Sequence, residues 1–124
     1  MGRKDRVGEI GERVASTHLK KKGYRIIETN FRTPFGELDL VTKFKGVIVF
    51  VEVKTRASYS FGPPYLSVTN IKKRHIIRNA LFYLKSRCLV DCNWRIDIVS
   101  INLNYANEVE KVEVFENAVE DPYI

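Results

Sequence analysis

Apolar residues fall along this chain with two different spacings, and each predicts a different kind of element. Val7, Ile10, Gly11, Val14, Ala15, His18 and Leu19 recur every three or four positions, which predicts an amphipathic helix over residues 5–22. Gly23 follows as its stop, and Lys20, Lys21 and Lys22 place cations where the helix dipole favours them. Alternation then takes over, and residues 24–32, 37–44 and 47–55 read as three strands, with turns at Thr33-Pro34 and Lys45-Gly46. After a loop rich in turn residues that contains Phe61-Gly62-Pro63-Pro64, helical spacing returns over residues 70–87. Thr69 stands as its N-cap, and Ile76, Ile77, Ala80, Leu81 and Leu84 form its apolar face. Residues 94–102 and 111–116 read as two further strands, the second at an edge. The order α-β-β-β-α-β-β predicts one α/β sandwich domain over residues 1–124.

One strand departs from simple alternation. Val47, Val49, Val51 and Val53 line one face, while Ile48, Phe50, Glu52 and Lys54 line the other. A strand apolar on both faces is covered on both faces, and its charged end marks where the core gives out. If Lys45-Gly46 is a two-residue hairpin turn, Phe44 faces Val47, Asp39 faces Glu52 and Glu37 faces Lys54. Opposed residues share a face, so two carboxylates with β-carbons about 5 Å apart need a positive charge between them.

Composition narrows the partners without naming one. The chain has 124 residues, 44% hydrophobic and 29% charged, which suits a soluble globular domain. No apolar run approaches a membrane span, and the first fourteen residues break their apolar positions with charge, unlike a secretory signal. A cytoplasmic chain with no membrane partner is expected, with Cys88 and Cys92 as reduced thiols. The net charge of +6 favours a polyanionic partner.

The paired acids suggest phosphodiester hydrolysis. Magnesium, or manganese in its place, takes oxygen ligands, and Asp39, Glu52 and the backbone carbonyl of Val53 would supply them. Lys54 would position or deprotonate the attacking water, or stabilise developing phosphate charge. Glu12 lies about 20° from Leu19 on a helical wheel, at the border of the apolar stripe, and can look over the sheet towards Asp39 and Glu52. Glu9 sits about 60° further into solvent. The plain alternative is a cross-strand ion-pair cluster in which Lys54 meets Glu37 and Glu52, with Glu12 engaged locally by Ser16, Arg13 or Lys4.

The runs GERVASTHLKKKGYRIIETNFRTPFGELDLV and VFVEVKTR resemble the PD-(D/E)xK nuclease superfamily. Within it the chain is similar to archaeal Holliday junction resolvases and most similar to the small YraN-type bacterial family. The resemblance continues through Val68 to Lys72 and through Arg95 to Asp97, and covers residues 8–101. It implies a restriction-endonuclease-like fold: a three-layer α/β sandwich whose central mixed five-stranded sheet, flanked by helices, carries the active-site hairpin in its middle. Glu12, Asp39 and Glu52 then look like the acidic triad, with Glu12 reaching the metal directly or through water, and Lys54 looks like the lysine of the ExK element. Leu38 stands where the superfamily's name has proline.

The function this implies is a divalent-metal-dependent DNA endonuclease acting on branched or structured DNA, with a homodimer suggested by symmetric incision of a junction. A non-catalytic nucleic-acid-binding or adaptor protein on the same fold is the alternative. Lys72, at the start of the second helix, and Arg56, just beyond Lys54, are candidate phosphate contacts, against a plain role as solvated cations. Arg74, Arg78 and Lys85 share a stripe within about 40° and suit contact with a nucleic-acid backbone, against a plain role in solubility. Asp97 is expected to pair with Arg95 and to stay out of the site.

Overall fold

The computed structural model describes residues 3–57, the first four as backbone only, and 69–119. The predicted loop through Phe61-Gly62-Pro63-Pro64 lies outside the described residues. The elements are α1 (Arg3–Lys21), β1 (Arg25–Thr33), β2 (Gly36–Phe44), β3 (Val47–Ala57), α2 (Asn70–Ser86), β4 (Trp94–Leu103) and β5 (Val109–Phe115). They build a five-stranded mixed sheet in the order β1-β2-β3-β4-β5, antiparallel except where β3 runs parallel to β4. The result is the expected α/β sandwich, with β3 in the middle and β5 at an edge. No helix among the described residues is long and apolar enough to cross a membrane.

The double apolar pattern of β3 is explained by the two helices. Ala15 and Leu19 of α1 cover one face of the sheet, packing with Leu40, Val49, Val51, Val99 and Ile101. Ile76, Ile77, Ala80, Tyr83 and Leu84 of α2 cover the other, packing with Leu38, Val41, Ile48, Phe50, Ile96 and Ile98. Leu81, expected on this apolar face, is instead 41% exposed. On the wheel it lies about 100° from the centre of the buried set, whereas Tyr83 lies about 60° from it and takes the place.

Local signals act where expected. Thr69 accepts the Lys72 amide and caps α2. At the end of α1, Tyr24 N bonds Leu19 O and Gly23 N bonds Lys20 O, with Gly23 at φ +100, which is a Schellman stop. Lys45 and Gly46 both have positive φ, as a primed hairpin turn demands.

Gly11 sets how closely α1 approaches β3. A β-carbon there would stand 1.8 Å from Thr55 Oγ1 and 3.0 Å from Thr55 Cβ. Gly11→Ala should therefore destabilise the fold by about 1–3 kcal/mol through overpacking. Helix propensity alone predicts the opposite sign, a gain of about 1 kcal/mol. Thr55→Ala removes the worst contact, so denaturant melts of the double variant should recover part of the loss.

Candidate functional site

The ladder between β2 and β3 runs from the turn to Leu40 opposite Val51. Continuing that register puts Asp39 across from Glu52, but here backbone pairing gives way. Val53 donates its amide N–H to Asp39 Oδ2 at 2.8 Å. Leu38 and Leu40, two residues apart, pack into opposite cores, although a regular strand would put both on one face. The chain therefore changes face at Asp39, whose carboxylate lies in the opening between β2 and β3, within reach of both sides of the sheet.

The α1 side brings further acids to it. Ladder pairs Thr29–Leu40 and Phe31–Leu38 flank Asn30, which has φ +50 and hydrogen-bonds Glu12. Glu12, Glu37 and Asp39 each offer a carboxylate oxygen, and these oxygens lie within 4.8 Å of one another. That spread is close to the separation of about 4 Å between opposite ligands of a magnesium ion. An all-oxygen, all-carboxylate donor set of this kind suits a hard divalent cation. Beside Glu12, a cleft of about 270 Å³ opens between α1 and β1, lined by Glu9, Arg13, Ser16, Thr29, Asn30 and Leu40.

Glu52 and Lys54 approach Asp39 from β3. Lys54 Nζ lies 3.5 Å from Glu52 Oε1, with both side chains mostly buried. Burial, then the Glu52 charge, pushes the Asp39 carboxyl up to about 7. Glu52 is also raised by burial, but Lys54 and a hydrogen bond from Asp39 pull against that. Asp39 and Glu52 thus share a hydrogen bond and titrate as a pair. Glu12 is raised by burial and by the Asp39 charge, against the Asn30 hydrogen bond. Burial and neighbouring acids thus make full ionisation of Asp39 and Glu12 costly in the absence of a cation.

The expected facing of Glu37 and Lys54 does not form. Glu37 pairs with Arg32 on β1 in the ladder and, at 3.8 Å, by charge, because β2 has parted from β3 before reaching it. The tie between Val53 and Asp39 runs through the Val53 amide. Lys72, exposed in the first turn of α2, is near enough for its charge to act on Glu52. Arg74, Arg78 and Lys85 are exposed on α2, and Arg56 is half-buried near the end of β3.

A family model described as uncharacterised protein family UPF0102 matches residues 11–101. The chain belongs to the UPF0102 family. A UPF0102 protein of Clostridium acetobutylicum is 41% identical over 113 residues, covering 91% of this chain and 93% of its own. Another from Caldicellulosiruptor saccharolyticus is 41% identical over 115 residues, covering 93% of this chain and 98% of its own. One from Moorella thermoacetica is 43% identical over 113 residues, covering 91% and 94%. Glu12, Asp39, Glu52, Lys54, Lys72 and Asp97 all fall within the span that the UPF0102 model matches.

Sequence reasoning set Glu37 opposite Lys54 and not among the candidate cation ligands, and it missed Asn30. Glu37 stands two residues before Asp39, a spacing that already flagged it as a neighbour. Nothing in the sequence announces that Asn30 leaves regular strand geometry to meet Glu12.

Proposed function

We propose that this protein is a divalent-metal-dependent endonuclease that hydrolyses phosphodiester bonds in DNA, acting on branched or otherwise structured substrates. The convergence of Glu12, Glu37 and Asp39 carboxylate oxygens beside the Glu52–Lys54 pair carries this reading. Asp39, Glu12 and Glu37 would hold the cation, magnesium or manganese, with Glu52 completing the acidic wall. When bound, it supplies charge neutralisation at the phosphate and acidification of a coordinated water. Lys54, held by Glu52, turns its N–H donors towards a phosphoryl oxygen or the attacking water. Exposed Lys72, Arg74 and Arg78, with Arg56 at the end of β3, favour a polyanion lying across this end of the sheet.

Supercoiled, single-stranded and four-way-junction DNA, each with magnesium or manganese, provide the test. An Asp39→Ala, Glu52→Ala double variant should cut at least about a thousandfold more slowly, the scale of several kcal/mol of lost charge stabilisation. Indistinguishable traces from wild type and double variant on every substrate overturn the catalytic reading. Salt-sensitive DNA binding without carboxylate-dependent metal uptake would instead identify a non-catalytic binding protein.

A further inference from the structure

Phe35, in the turn between β1 and β2, is an aromatic ring kept at the surface by a rigid support. It is 47% exposed, although burial of a phenylalanine is strongly favoured. The turn that carries it is fastened from below. Phe35 N donates to Thr33 Oγ1 at 3.0 Å, and Thr33 Oγ1 in turn donates to the buried Asn79 of α2. Gly36, at φ +143, lies so close to Asn79 that a β-carbon would stand 3.3 Å from its amide nitrogen. The Phe35 ring meets Phe82 edge-on with centroids 6.4 Å apart, and the Arg78 guanidinium lies 5.6 Å from its centroid. Two residues further along the chain is Glu37, one of the clustered acids. An exposed aromatic face with an arginine over it, anchored beside carboxylates and flanked by cations, has the composition of a base-stacking platform.

We infer that Phe35 and Arg78 stack an unpaired nucleobase of the substrate strand, so that the site takes single-stranded or frayed nucleic acid next to the phosphate presented to Asp39. This rests on the nucleic-acid reading above and narrows it. A base within an intact duplex has its faces covered by its neighbours, whereas an unpaired one is free to lie on the ring. Arg78 adds a cation to the same contact, and Arg74, exposed one turn earlier on the same face of the helix, offers another for the strand's phosphates.

The test is metal-free fluorescence anisotropy in EDTA, in an Asp39→Asn background, with labelled single-stranded, flapped and fully duplex oligonucleotides. Phe35→Ala should weaken single-strand and flap binding roughly tenfold while leaving duplex binding unchanged. Phe35→Trp should bind as the parent does. Phe35→Leu, which keeps apolar bulk but has no ring face, should behave like Phe35→Ala. The salt slope should stay constant across the Phe35 variants, which remove no phosphate contact, and Arg78→Ala should weaken single-strand binding more than duplex binding. Thermal melts matched to the parent exclude a folding defect. The inference is overturned if Phe35→Leu binds as the parent does, if Phe35→Ala leaves single-strand binding intact, or if it weakens duplex binding equally. Because no cleavage is measured, a parent that binds this way but whose Asp39-containing form never cuts would defeat the nuclease reading and leave the platform standing.

Discussion

Asp39→Asn should be more stable than the wild type in metal-free buffer at pH 8, and equal to it at pH 4. Asp39 titrates near 7 in the folded protein against an ordinary 3.8, chiefly through burial and then the Glu52 charge. The folded state therefore keeps a proton through a window, about pH 4 to 7, in which the unfolded chain has already released it. The associated stability is fully present below the unfolded value and is lost as pH rises through the folded one. The slope approaches about 1.4 kcal/mol per pH unit, which makes an effect of about 2–4 kcal/mol across the window. Asparagine cannot ionise, its carbonyl oxygen can still accept the Val53 N–H, and its amide can donate to Glu52. The variant should therefore hold its stability where the wild type loses it. Millimolar magnesium should reverse the order at pH 8 by stabilising the wild type alone, and its apparent affinity for the wild type should fall as pH drops below about 7, because binding must displace the Asp39 proton. Denaturant melts at pH 4, 6 and 8, with and without magnesium, measure all of this. A gap between the two proteins that does not vary with pH would show that Asp39 is not the strained acid.

Most of the fold was legible because its signals are local. The Val47 to Val53 alternation demanded cover on both faces, and α1 and α2 supply it. Lys45-Gly46 fixed the hairpin register at its closed end, where the ladder matches the sequence count from Phe44–Val47 to Leu40–Val51. The reading weakened where the ladder stopped. A period of two assumes a continuous strand, yet Asp39 takes a backbone N–H with its side chain and Leu38 and Leu40 face opposite ways. This break lets Glu12, from the helix on one face, approach an acid that strict alternation would assign to the other. Glu37 joins Glu12 and Asp39 for the same reason, and not Lys54 as counting implied. Leu81 and Tyr83 exchanged roles because a helix face about 100° wide does not reveal which border residue the sheet will meet.

Asp97→Ala should cost about 3–5 kcal/mol, the largest single-site loss of stability expected outside the apolar core. Its side chain is fully buried on β4 and is satisfied from three directions. Arg95 Nε and Nη2 donate to it at 3.0 and 3.3 Å, Tyr24 Oη at 3.1 Å, and the Asn117 amide at 2.8 Å. These donors join the residue just before β1, β4 itself and the residues after β5, so one carboxylate ties together parts of the chain far apart in sequence. The Tyr24 ring in turn stacks on Phe44 with centroids 4.1 Å apart. Truncation to alanine leaves a partly buried guanidinium, a phenol and an amide without their acceptor, and each unpaired group adds its own desolvation cost. Asp97→Asn should retain part of the stability, since one oxygen still accepts, but its amide would face Arg95 donor to donor. Tyr24 offers an independent reading: burial first and Asp97 second push its hydroxyl up to about 12. In Asp97→Ala that hydroxyl should ionise at lower pH, visible as an earlier tyrosinate absorbance. None of the donors to Asp97 comes from β2 or β3, so the folded variant, measured well below its melting range, should retain carboxylate-dependent metal uptake. Loss of uptake in a folded Asp97→Ala protein would place Asp97 in the site after all, and would contradict the division between an acid that holds the sheet together and the acids proposed to hold a cation.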